Sequence, residues 1–166
     1  MKPVKTFLFF LLVFLLAACG PSADLGDPAV SQNGIEIHQP WARSAAMKTG
    51  MGEDSHADSP ATVAVTGAFM LIKNTTGQDD MLLSASSDVA AETQIHQTTM
   101  SDGIMSMAEV FGIEIPAGGQ AELKPGGYHV MLIGLKEELK AGKTVTLRLV
   151  FQNAGEVVVE AEVRNP

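Results

Sequence analysis

One cysteine, one tryptophan and one tyrosine occur in the 166 residues. With a single thiol the chain can close no internal disulfide. If Cys19 is consumed by processing, nothing remains for a thiolate metal site, a Cys nucleophile or a blue-copper centre, which requires a Cys ligand. Basic residues are scarce as well: 11 Lys and Arg stand against 19 Asp and Glu, a net charge of −8. That balance argues against nucleic acid as a partner. No H-E-x-x-H, Ser-His-Asp or paired-carboxylate pattern stands out, so the chain reads as no enzyme. Internal repeats and phosphate-cradling glycine motifs are also absent. The unbroken apolar run Phe7 to Leu16 is ten residues long, too short to span a bilayer comfortably as a helix.

That run has a different use. Lys2 and Lys5 precede it, and Leu16-Ala17-Ala18-Cys19 closes it. The pattern resembles a bacterial lipoprotein signal. The resemblance implies cleavage before Cys19 and lipid on its sulfur and on the new amino group; an ordinary secretory signal with an incidental cysteine is the other reading. The expected organisation is a signal peptide at 1–18, a Gly-, Pro-, Ser- and Asp-rich flexible tether at 19–34 and one domain at 35–163. Losing Lys2 and Lys5 takes the net charge from −8 to −10. Membrane contact would then come from the lipid alone, in the cell envelope, facing the periplasm or the cell surface.

The domain reads as all-β. Ile35 to His38 alternates apolar and polar residues, and Pro40 is expected to end or edge that strand. Residues 44–60 read as a long polar loop carrying Met47, Met51 and His56, either an auxiliary metal-capture loop or a solvated insertion. Further strands are expected over Ala61 to Asn74, with Gly67 as a bend or bulge, and over Asp80 to Ser86, Glu92 to Met100, Ile104 to Val110 and Tyr128 to Leu135. Thr144 to Phe151 and Glu156 to Val163 alternate and are joined at Asn153-Ala154-Gly155 as a hairpin. No helical period is sustained beyond short turns near Ser87–Ala91 and Lys136–Lys140. Eight or nine short strands between turn signals argue a β-sandwich.

Between residues 96 and 131 lie two imidazoles and two thioethers, His96, Met107, His129 and Met131. Thioethers suit Cu(I) and are poor ligands for Zn²⁺, Mg²⁺ or Ca²⁺. Asp102-Gly103 is a two-residue hairpin signal. With that dipeptide as the loop, Thr98 faces Met107 and His96 faces Glu109, so His96 and Met107 share one strand face as diagonal neighbours. His129 and Met131 are i and i+2 of one strand and share a face too. Whether the two pairs meet depends on tertiary structure. Met100 and Met105 could assist transfer or simply cover a hairpin tip, and His38 reads as structural or solvent-facing.

The spacing His96-x10-Met107-x21-His129-x-Met131 resembles the signature of the PCu(A)C periplasmic copper chaperone family. So do Pro40-Trp41-Ala42-Arg43, Asp102-Gly103-Ile104-Met105, the stretch Gly112 to Gly119 and the stretch Leu123 to Leu132. The similarity covers about residues 35 to 163. It implies a cupredoxin-like Greek-key β-sandwich that binds Cu(I) through His96, Met107, His129 and Met131. It also implies a metallochaperone delivering copper to an envelope acceptor, cytochrome c oxidase or another assembly factor. Gln97 departs from the pattern, since many members carry Met there, but it should point to the opposite strand face. The rival reading is a metal-free envelope lipoprotein acting in adhesion or assembly.

Overall fold

The computed structural model describes residues 26–46, 64–101 and 103–165. The expected signal peptide, Cys19, most of the tether and Met47, Met51 and His56 lie outside the described residues. Among those described there is no helix, and eleven strands run in order: β1 (Val30–Gln32), β2 (Ile35–Arg43), β3 (Val65–Asn74), β4 (Asp80–Ser86), β5 (Ala90–Ser101), β6 (Ile104–Glu109), β7 (Ile113–Ile115), β8 (Gln120–Leu123), β9 (Tyr128–Leu135), β10 (Thr144–Phe151) and β11 (Gly155–Arg164). Eight or nine strands were expected. The additional ones are short: β1 falls within the stretch read as tether and pairs with β2, Val30 opposite Ile37.

The strands hydrogen-bond in the order β6-β5-β9-β8-β3-β2-β11-β10-β4-β7, with β9 also pairing β3. The sheet folds over on itself, so that β4 packs on β5 and β7 approaches β8. The result is the cupredoxin-like sandwich, with strands distant in sequence lying side by side. Period-2 alternation builds its core. In β11, Val157, Val159, Ala161 and Val163 are buried while the residues between them face solvent; in β10, Val145, Leu147, Leu149 and Phe151 are buried and alternate with half-buried residues. Ile35, Ile37, Ile72, Leu82, Ile115 and Leu132 complete the interior. Each Val, Leu, Ile or Phe among them contributes about 1.5–3 kcal/mol by leaving water.

Two local expectations change. Pro40 does not end β2. The strand continues to Arg43, and the irregularity falls between His38 and Trp41, where Gln39 takes φ 48°. A bulge lets the proline pass without an unmet ladder bond. Gly67, in turn, is no bend: it pairs in register with Met131. A Cβ there would stand 2.9 Å from Cζ of Phe69, so a side chain at this position would press on that ring.

Candidate metal centre

The β5–β6 hairpin has the register expected from Asp102-Gly103. Ser101 faces Ile104, Met100 faces Met105, Thr98 faces Met107 and His96 faces Glu109, with Gly103 at φ 78°. The pairing of β5 with β9, invisible in the sequence, does the rest. It sets His96 directly opposite His129 and Gln94 opposite Met131. Because side chains alternate along each strand, His96, Met107, His129 and Met131 all emerge on one face of the three adjacent strands β6, β5 and β9.

A turn fixes the start of β9. In Pro125-Gly126-Gly127, Gly126 takes φ 80° and the Gly127 amide donates to the Lys124 carbonyl at 3.0 Å. The Gly127 carbonyl then accepts from the Thr98 amide on β5 at 3.0 Å and from His129 Nδ1 at 3.1 Å. A carbonyl can only accept, so the neutral His129 ring carries its proton on Nδ1 and leaves Nε2 as the lone-pair nitrogen. His129 is 4% exposed.

The His96 and His129 rings lie with centroids 5.8 Å apart at 57°. Phe69 sits 6.2 Å from the His129 ring, and Trp41 packs on Phe69 at 4.5 Å, forming an aromatic backing on the same face. Met107, His129 and Met131 line one cleft of about 420 Å³ with Thr98, Met105, Gly67 and Phe69; Arg43, Ser44 and Val65 stand at it too. His96 is not among its lining residues and adjoins it through His129. The Nδ1 of His96 is shielded from solvent and has no hydrogen-bond partner among the described residues. A buried, unpaired nitrogen costs about 1–3 kcal/mol unless something fills its lone pair. Two imidazole nitrogens and two thioethers on one face fit a soft monovalent cation. No group of three or more His, Cys, Asp or Glu side chains gathers as a metal site among the described residues.

Other readings find their places. Gln97 points away from this face and lines a separate groove of about 760 Å³ with Tyr128 and Phe111, which has no histidine among its described lining residues. His38 is buried in β2, with Nε2 3.4 Å from Glu36 and Nδ1 without a hydrogen-bond partner among the described residues. Gln94 had no assigned role, yet its side chain reaches His96. Its place two residues before a ligand candidate on the same strand was the available signal.

The family model described as "Putative lipoprotein LpqE-like" matches residues 35–163. The chain belongs to the LpqE-like family. A protein of Leifsonia xyli subsp. xyli named "Putative lipoprotein Lxx21020" is 31% identical over 144 residues, 86% of this chain and 77% of that protein. Among solved structures, this LpqE-like chain resembles Cu(I)-DR1885 from Deinococcus radiodurans, at 31% identity, 76% coverage of each chain and TM-score 0.54. The copper-bound PCuAC domain from PmoF2 shares the fold at 23% identity and TM-score 0.61, covering 82% of this chain and 97% of that one. The LpqE-like domain is thus a PCuAC-type cupredoxin-like sandwich.

Proposed function

We propose that this LpqE-like domain is an extracytoplasmic Cu(I) metallochaperone, lipid-anchored through Cys19, that hands copper to an envelope cuproprotein such as cytochrome c oxidase during assembly of its copper centre. The observation that carries this reading is the shared strand face of His96, Met107, His129 and Met131, three of which line one cleft. The 31% identity to a protein solved with Cu(I) supports the metal, and a relative named as a lipoprotein supports the anchor. Four neutral donors would leave the bound ion with a single positive charge and disfavour Cu(II), whose ligands are harder and more tetragonal.

Transfer needs an accessible side. Met100, Ile104, Met105 and Met107 are 50–71% exposed on the β5–β6 hairpin, and Val65 borders the cleft. This apolar rim suits contact with an acceptor. The test is anaerobic titration of the domain with Cu(I) against a competing chelator, followed by incubation with the soluble copper-bearing domain of the oxidase. One tight Cu(I) is expected, lost in the H129A/M131A double variant, with copper passing to the acceptor. A domain that takes no Cu(I), or one whose double variant binds as tightly, refutes the reading and leaves a metal-free adhesion or assembly module.

A further inference from the structure

Three polar side chains stand at alternate positions of β5: Glu92, Gln94 and His96. They form a directed chain of hydrogen bonds. Gln94 Nε2 donates to Glu92 Oε1 at 2.8 Å, and His96 Nε2 stands 2.7 Å from Gln94 Oε1. A carboxylate only accepts, so the end of the Gln94 amide facing Glu92 must be its NH₂. Its oxygen therefore faces His96. An amide oxygen also only accepts, so His96 must carry its proton on Nε2. The lone pair is then on Nδ1, the nitrogen shielded from solvent and without a hydrogen-bond partner among the described residues. In His129 the assignment is reversed, because the Gly127 carbonyl holds the proton on Nδ1.

Resting on the Cu(I) reading above, we propose that Gln94, itself oriented by Glu92, is a positioning residue that locks His96 in the Nε2–H form, so that the two imidazoles donate to copper through different atoms: His96 through Nδ1 and His129 through Nε2. Each ligand ring then donates a hydrogen bond from its other nitrogen, one to a side chain and one to the backbone. Such partners fix ring orientation and tautomer and raise ligand basicity. The two supports differ in what can remove them. The Gly127 carbonyl belongs to a turn tied to β5 through Thr98. The Gln94 amide can be deleted by one substitution.

The test compares wild type, Gln94→Leu, which keeps the bulk and loses the acceptor, and Gln94→Glu, which keeps an acceptor. Imidazole ¹⁵N shifts of the metal-free proteins at alkaline pH report the tautomers, and Ag(I) as a probe gives ¹⁵N–¹⁰⁹Ag couplings that identify the ligating nitrogens. Wild type and Gln94→Glu should show His96 as Nε2–H with silver coupled to Nδ1, and His129 with silver coupled to Nε2. Gln94→Leu should show mixed His96 tautomers and a Cu(I) affinity weaker by about 10–100-fold. Silver coupled to His96 Nε2, or a Gln94→Leu variant with unchanged tautomer and affinity, overturns this inference alone. A wild type that takes up neither Cu(I) nor Ag(I) sinks the copper reading and this inference with it, while the tautomers of the metal-free protein still report whether Gln94 acts on His96.

Discussion

Methionine oxidation offers a sharp test of the proposed ligand set, because the methionines differ in exposure and only two are assigned to the ion. Met100 is 68% exposed, Met105 62%, Met107 50% and Met70 3%. In the metal-free domain, treated with dilute peroxide and read by peptide mass spectrometry, the first three should oxidise within about two-fold of one another, and Met70 at least about ten-fold more slowly. Ag(I), which does not cycle with peroxide, then replaces Cu(I). A lone pair on sulfur that is donated to the metal is unavailable to the oxidant. Met107 should slow by at least about ten-fold, and Met131 with it, while Met100 and Met105 keep their rates. Exposure alone cannot separate Met107 from its hairpin neighbours, so selective protection must come from ligation. Equal protection of all three would mean that the hairpin is covered rather than coordinated. Protection of Met100 or Met105 without Met107 would refute the assignment outright.

Three other outcomes are expected. Gly67→Val should press the added side chain on Phe69, whose Cζ would lie 2.9 Å from the new Cβ, costing about 1–3 kcal/mol of stability by overpacking and weakening Cu(I) binding through the ring beside His129; unchanged melting and affinity would show that the ring yields freely. Asp80→Ala should destabilise by about 2–4 kcal/mol in urea unfolding, because the buried carboxylate accepts from the amides of Met81, Asn153 and Ala154, while the surviving fold keeps its copper affinity. Met107→Leu should weaken Cu(I) binding by less than His129→Ala does in the same chelator competition, since Met107 is half exposed on an edge strand and His129 is 4% exposed; the reverse order would contradict the proposed division between fixed and yielding ligands.

What could be seen in advance was local. Asp102-Gly103 set the hairpin register because a two-residue loop leaves one way to pair the strands, and that placed Met107 diagonal to His96. His129 and Met131 share a face by strand periodicity alone. The pairing of β5 with β9 was not legible, because their separation along the chain carries no register signal; only the fold puts His96 opposite His129. Pro40 misled because its meaning depends on whether a bulge absorbs the missing donor, and the bulge at Gln39 is a backbone event that the neighbouring residue types do not announce. Gln94 was overlooked because a glutamine on a strand is ordinary until its partner is known.

In the proposed site, strand position would divide holding from giving. β9 lies inside the sheet, bonded to β5 on one side and β3 on the other, so His129 and Met131 are borne by a strand that cannot move without breaking two ladders. Among the described residues β6 is an edge strand bonded to β5 alone, and every one of its residues is exposed. In the proposed site Met107 is therefore the ligand an incoming donor would meet first, with Met105 and Met100 beside it. An edge strand also offers unpaired backbone groups that a partner's strand could join. Such an edge is ordinarily an aggregation hazard, but in the proposed chaperone an open edge would serve contact with the acceptor. The acidic chain, at −8 overall, would favour acceptors with a basic face and make their encounter weaken with salt. In the proposed chaperone, encounter through charge and release through a yielding thioether would then rest on different groups, so that affinity for copper and speed of transfer need not be set by the same residues.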